Sequence, residues 1–200
     1  MYISSDCSTR GTLLEVTIRH LWQGDECELR VLDICHETHL STSVIYGNFG
    51  SRQGLIDAAY LHIYEEVTES TVHRLERAAD TARQTGSFVT AHYEALCDPG
   101  SADQVVRNRQ MHLRVAAVAL SRPNIRPAYL AIHHAFNERR DQIFQRLIDE
   151  SFLSGHLSAR QWALFFEGQM LSRALNGVSA EWGAHSDWEV VARHLAGPIS

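Results

Sequence analysis

The chain has 200 residues and a formal net charge of −6, and every one of its 18 basic residues is arginine. This length allows one large domain or two small ones. No stretch is apolar for long enough to cross a bilayer, and no charged-then-apolar secretion signal opens the sequence. The four cysteines lack a Cys-x-x-Cys spacing and are expected to be reduced thiols. These features predict a cytoplasmic protein without a membrane partner.

Two helices are predicted near the start of the chain. Residues 13–21 repeat apolar side chains with a period of 3.6, which is typical of an amphipathic helix. Residues 30–35 predict a second helix, in which Val31 and Ile34 would face the core.

A third, very short helix follows and carries the most informative residues of the chain. Ser41–Ser43 open it, Val44 and Ile45 form its inner face, and the aromatic pair Tyr46 and Phe49 ends it. A helix of about two turns is not stable alone in water. It must therefore pack on its neighbours, with the polar residues at its start left available to a partner, as the second helix of a DNA-binding helix-turn-helix requires.

A turn, Gly50-Ser51-Arg52, follows the short helix, and a long helix starts at about Ser51. Together, residues 12–60 resemble the N-terminal region of the TetR (tetracycline-repressor) family of bacterial transcription regulators. Three positions depart from the family pattern. His39 stands where the family usually has a turn glycine, so a non-glycine residue must adopt a positive φ. Asn48 replaces the usual histidine, and Gly47 weakens the end of the short helix.

This resemblance implies a set of DNA contacts. Ser41, Thr42 and Ser43 would stand at the start of the recognition helix, the last two facing bases. The side chains expected to hold phosphates, and so to position the module without reading sequence, are those of Arg30, Tyr46, Asn48 and Arg52.

Net charge opposes DNA binding at this end of the chain. Residues 1–57 carry four arginines against eight acids, a balance of −4, and the remainder carries 14 arginines against 16 acids, a balance of −2. Nucleic-acid binders usually have a basic surface. We therefore expect modest, strongly salt-dependent affinity that is helped by pairing two subunits.

The rest of the chain is predicted to be helical. Pro127 suits the first turn of a helix, and four sequences have the form of a capping box: Thr12…Glu15, Ser101…Gln104, Ser158…Gln161 and Ser186…Glu189. No strand-like alternation of useful length occurs. The prediction is an all-α fold of about nine helices, with a flexible tail (1–9), a three-helix DNA-binding domain (10–57) and a ligand-binding and dimerisation domain (58–200).

A two-sided apolar helix is predicted from Ser158 to about Val178, and a further helix surrounds Trp188. A helix that is apolar on two sides must bury both, and the resembled family builds its dimer interface from its two C-terminal helices. Burial of both stripes within one chain is the alternative. The predicted interface residues are Leu164, Leu171, Leu175, Val178, Trp188, Val191 and Leu195.

A small-molecule site is predicted between these regions, because polar side chains recur at core-facing positions and a buried polar group needs a partner. The alternative is that they point to solvent or bond to one another. The expected effector is mostly apolar or aromatic, with one or two hydrogen-bonding groups. The predicted lining residues are Tyr93, Met111, His112, Tyr129, His133, Phe136, Trp162, Phe166 and Gln169.

No catalytic, metal or cofactor site is predicted. His36 and His39 lack the spacing of a zinc helix, and no phosphate-binding glycine loop or nucleophile elbow occurs. The sequence therefore predicts a homodimeric regulator, a repressor that leaves its operator when a small molecule binds. Two other hypotheses remain open: a small helical enzyme or metal protein, and a helical interaction module that has lost DNA binding.

Overall fold

A computed structural model describes residues 8–97 and 102–176, with side chains described throughout these ranges except at positions 93, 96, 97, 102 and 169–176. Within these ranges the chain is helical and has no strand, which confirms the predicted all-α class. The ninth predicted helix, around Trp188, lies outside the described residues, as do Val178, Val191 and Leu195. The described helices are α1 (Thr9–Gln23), α2 (Val31–Thr38), α3 (Thr42–Phe49), α4 (Arg52–Thr85), α5 (Phe88–Cys97), α6 (Ala102–Ser121), α7 (Arg126–Asp149) and α8 (Ala159–Asn176).

The described residues divide into two compact units. The first unit comprises the chain up to Glu66 together with Val115–Tyr129. The second comprises Val67–Arg114 and the chain from Leu130 onwards. The boundary between a DNA-binding and a ligand-binding domain, expected after residue 57, stays a prediction.

In the first unit, α1 packs against α2, and α2 packs against α3. Leu13, Ile34 and Ile45 supply one fully buried side chain from each of these helices. Helix α1 begins at Thr9, where the Ser8 hydroxyl accepts a hydrogen bond from the Gly11 amide. The capping box predicted at Thr12…Glu15 is therefore wrong, because Thr12 lies within the first turns of the helix.

The two turns around α3 have the backbone geometry that a helix-turn-helix needs. His39 ends α2 in the left-handed region at φ 56°, which confirms the positive φ predicted for this non-glycine residue. Gly50 ends α3 at φ 74°. The start of α4 packs closely on the end of α3, since a Cβ atom on Gly54 would lie 2.1 Å from the carbonyl oxygen of Phe49. Gly54 therefore fixes how closely α4 can follow α3.

The second unit is built around aromatic rings. Phe88, Phe144 and Phe166 pack with centroids 5.5 to 5.9 Å apart. The capping box predicted at Ser158…Gln161 is confirmed: the Gln161 side chain accepts from the Ser158 amide at 2.8 Å, and the Ser158 hydroxyl accepts from the Gln161 amide at 3.3 Å. No helix in residues 8–97 and 102–176 has both the length and the apolar character needed to cross a bilayer.

Candidate functional site

Helix α3 presents a polar face to solvent in the first unit. Ile45 is fully buried beneath it, whereas Ser41 and Ser43 are exposed and Thr42 is partly buried. Tyr46, one turn further along, keeps 48% of its surface exposed. Three hydroxyl-bearing residues at the start of a helix and one phenol thus lie on the open side of a helix whose other side forms the core.

The hydroxyl of Ser41 differs from those of the other serines that precede helices. Ser8, Ser51, Ser87 and Ser158 each accept a hydrogen bond from an amide in the first turn of their own helix, at 2.9 to 3.3 Å. The Ser41 side chain makes no such bond at the start of α3. The Val44 amide, which such a bond would satisfy, donates instead to the Ser41 carbonyl at 3.0 Å. The Ser41 hydroxyl and the amides of Thr42 and Ser43, which have no partner within the helix, thus lie at the positive end of the helix dipole, an arrangement that favours an anion.

The predicted phosphate contacts are placed differently from one another. Arg30 is exposed at the start of α2 and makes no side-chain hydrogen bond or ion pair with any described residue. Arg52 is used within the unit, where its Nε donates to the Leu29 carbonyl at 3.0 Å and one terminal nitrogen donates to the Glu26 carbonyl. The Asn48 amide donates to the Val44 carbonyl at 2.8 Å. Arg30 is thus the predicted phosphate-binding cation that keeps its guanidinium available.

Ion pairs partly neutralise the acidic character of the N-terminal region. The Glu37 carboxylate contacts Arg19 at 2.5 Å and His20 at 2.6 Å. No acid occurs between Glu37 and Asp57, so the segment that contains the whole of α3 carries no negative side chain. The unfavourable net charge therefore lies elsewhere on the unit, away from the sequence of α3.

Arg122, which the sequence did not single out, forms ion pairs with two acidic residues of the first unit. It precedes α7 and binds Asp57 at 2.7 Å and also Glu26. All three side chains are largely buried, so the pairing is less screened than a surface bridge. Arg122 lies 65 residues from Asp57 along the chain, and no local pattern could reveal such a pair.

A cavity of about 570 Å³, counting the space at its open mouth, lies within the second unit. Of the predicted ligand residues whose side chains are described, His112, Phe136 and Phe166 line it. The wall also contains residues that the sequence did not suggest, among them Thr71, Arg74, His92, Asn108, Arg109, Arg140, Phe144 and Glu167.

The other predicted ligand residues with described side chains do not line the cavity. Trp162 is 1% exposed in the core of the second unit, and its indole N–H donates to the Ser154 carbonyl at 2.9 Å, so its polar group is already satisfied. Tyr129 belongs to the first unit, where its ring lies 4.6 Å from that of Tyr64. Met111 is buried and His133 is partly buried, but neither lines the cavity. The side chains of Tyr93 and Gln169 lie outside the described part.

Burial changes the protonation of the cavity wall. It lowers the pKa of His112 to about 3, with smaller contributions from the nearby charges of Arg109 and His133. His112 is therefore a neutral imidazole at physiological pH and can both donate and accept a hydrogen bond. Burial also lowers the pKa of Arg74 to about 10, helped by repulsion from Arg77.

The dimer residues are only partly covered by the structure. Leu164 is 55% exposed on α8, which leaves a large apolar side chain facing solvent. The side chains of Leu171 and Leu175 lie outside the described part, so the predicted interface stays a prediction.

Among the described residues, no three His, Cys, Asp or Glu side chains are grouped in a way that could hold a metal ion.

Comparison with known proteins identifies the fold. No protein-family model and no curated protein matches the chain. Among solved structures, GusR of Salmonella enterica is similar with a TM-score of 0.61 at 14% identity, over 97% of this chain and 96% of that one. A Rhodococcus sp. protein assigned to the TetR family of transcriptional regulators is similar with a TM-score of 0.61 at 19% identity, over 94% of this chain and 98% of that one. The chain therefore has the fold of a TetR-family transcriptional regulator.

Proposed function

We propose that this protein is a DNA-binding transcriptional regulator that reads an operator with α3. The observation that carries this proposal is the start of α3, where the Ser41 hydroxyl caps no amide while the hydroxyls of four other serines cap their helices. A capping hydrogen bond contributes about 1 kcal/mol to stability. Leaving it out is explained if an external phosphate or base edge binds there.

In this proposal the remaining contacts divide into two classes. Thr42 and Ser43 read base edges, which present distinct donors and acceptors in the major groove. Tyr46 and Arg30 bind phosphates and fix the position of the helix on the duplex. Arg52 acts within the protein, holding the loop between α1 and α2 through its contacts to backbone carbonyls.

The protein works as a homodimer and represses transcription. Two copies of α3 on one face of the duplex engage two half-sites about one helical turn apart, and pairing compensates for the modest affinity of a single acidic unit. The exposed Leu164 supports an apolar contact through α8. A small molecule in the cavity of the second unit weakens operator binding.

Titration of operator DNA, taken from the intergenic region upstream of the chain's own coding sequence, tests the proposal. Fluorescence anisotropy at several salt concentrations gives affinity and salt slope. Arg30→Ala should lower the slope by about 1 for each half-site, and Thr42→Val should change the preference among operator variants.

Ser87→Ala is the matched control, since it removes a capping hydroxyl in the second unit. It should leave affinity, salt slope and preference unchanged. The absence of any salt-dependent binding by the unaltered protein would overturn the proposed function and would favour a helical module without DNA binding.

A further inference from the structure

Three arginines, Arg74, Arg109 and Arg140, line the cavity of the second unit, and Arg74 and Arg140 differ in their partners. Arg140 is 4% exposed and is fully paired, because its guanidinium contacts Asp141 at 2.9 Å and Glu167 at 3.0 Å. Among the described residues, the Arg74 guanidinium makes a single hydrogen bond, to the Thr71 hydroxyl at 3.3 Å, and no carboxylate lies within ion-pair distance of it. The charge of Arg140 is thus neutralised by two carboxylates, whereas that of Arg74 has no counterion among the described residues.

The surroundings of Arg74 make its lack of a counterion energetically unfavourable. Arg74 is partly buried, and a cation that loses hydration is normally paired with an anion. Desolvation lowers the pKa of Arg74, and the positive charge of Arg77 lowers it further instead of offsetting the effect. The carboxylate of Glu167 also lines the cavity, but it is held by Arg140.

The remainder of the wall suits an apolar body. Phe136, Phe144 and Phe166 line the cavity beside Val105 and Ala163. The rings of Phe144 and Phe166 are stacked with centroids 5.5 Å apart, and aromatic walls of this kind favour an aromatic or alicyclic ligand. His112, a further wall residue, offers a neutral hydrogen-bonding group beside them.

We propose that the cavity binds a compact organic monoanion, in which a carboxylate pairs with Arg74 and the Thr71 hydroxyl and an apolar ring packs on Phe136, Phe144 and Phe166. This inference rests on the proposed function in naming the chemical class of its effector. It also changes the ligand predicted from the sequence, because an uncharged apolar compound would leave Arg74 without a counterion.

Isothermal titration of the purified full chain, without DNA, tests the anion assignment. The probes are phenylalkanoates with two to five carbons in the acid chain, each compared with its primary amide. An amide has nearly the same shape as the acid but carries no charge, so the pair isolates the contribution of the carboxylate. The best carboxylate should bind at least tenfold more tightly than its amide, since a charge-assisted bond is lost in the amide.

Two arginine variants separate pairing from general electrostatics. Arg74→Gln should abolish the difference between acid and amide, and Arg74→Lys should retain part of it. Arg77→Gln is the matched control, because it removes the same charge one helical turn away from an exposed position outside the cavity wall. It should leave the difference intact. Circular dichroism verifies that each variant is folded.

The results distinguish this inference from the proposed function. It is overturned if no phenylalkanoate binds, if acid and amide bind equally, or if Arg74→Gln and Arg77→Gln behave alike. Failure of the unaltered protein to bind operator DNA would overturn the proposed function and leave the titration result standing. A carboxylate that binds and also lowers operator affinity, and does neither with Arg74→Gln, supports both.

Discussion

The start of α3 and the cavity of the second unit both contain polar groups that the rest of the chain does not neutralise. At the start of α3 these groups are hydroxyls and amides in contact with water, which replaces the missing partners at little cost. In the cavity the group is the guanidinium of Arg74, which has no carboxylate partner among the described residues and whose pKa is lowered by burial. The missing cap at the start of α3 therefore costs at most about 1 kcal/mol, whereas the unpaired charge in the cavity wall carries a penalty that a ligand would relieve.

This difference also separates what the sequence could predict from what it could not. The α3 region is formed by residues that are close in sequence. Their spacing was therefore enough to predict the helix, the turn at His39 and the hydroxyls at the start of the helix. The cavity is assembled from α4, α5, α6, α7 and α8, and no sequence spacing shows which faces of five helices meet. Trp162 is an example: it was predicted to line the ligand site, and its indole N–H donates to the Ser154 carbonyl within the core.

The largest effect is expected from breaking the close approach that positions α3. A Cβ atom at position 54 would lie 2.1 Å from the Phe49 carbonyl oxygen, a backbone atom that cannot move without displacing the end of α3. Gly54→Ala should therefore lower the free energy of unfolding by about 3 kcal/mol and reduce operator affinity more than tenfold. Urea denaturation and anisotropy titration measure the two effects.

Gly47→Ala is the control for that substitution. A Cβ atom there would meet nothing within 4 Å, and alanine is favoured over glycine in a helix by about 1 kcal/mol. Gly47→Ala should thus raise stability. If the two alanine variants shifted the unfolding midpoint in the same direction, the packing assigned to Gly54 would be wrong.

A smaller effect is expected from removing Arg122, the link that no local pattern revealed. Arg122→Ala leaves the carboxylates of Glu26 and Asp57 close together and largely desolvated. Stability should fall by about 2 kcal/mol, less than for a fully buried pair because each side chain keeps some exposure. Arg126→Ala, which removes the same charge from an exposed position nearby, should change stability by less than about 0.5 kcal/mol. Equal losses in the two variants would show that net charge alone is responsible.

The desolvated interior also predicts a dependence on pH. Because the native pKa of His112 is about 3 and that of an unfolded histidine is near 6.5, the unfolded chain binds a proton that the native chain does not as the pH falls below about 6.5. The His112 contribution to stability is therefore present above that pH and is lost progressively towards pH 3, by roughly 1 kcal/mol for each pH unit.

Comparison of the parent with His112→Gln, by thermal unfolding between pH 7 and pH 4.5, isolates this contribution. The parent should lose stability more steeply than the variant as the pH falls. His36→Gln replaces an exposed histidine on α2 and should follow the parent curve. Parallel curves for the parent and His112→Gln would contradict the burial of a neutral imidazole in the cavity wall.

The finest test compares two serines that precede helices in the same unit. Ser8 accepts a hydrogen bond from the Gly11 amide at 3.1 Å, so Ser8→Ala should cost about 1 kcal/mol of stability and leave the operator affinity of the folded protein unchanged. Ser41 makes no capping bond, so Ser41→Ala should cost only about 0.3 kcal/mol and instead weaken operator binding about threefold, the effect of one lost hydrogen bond. Urea unfolding and operator titration of the two variants should thus give opposite patterns. A stability loss for Ser41→Ala as large as that for Ser8→Ala would mean that the hydroxyl caps α3 in solution, and the start of α3 would then hold no donor reserved for DNA.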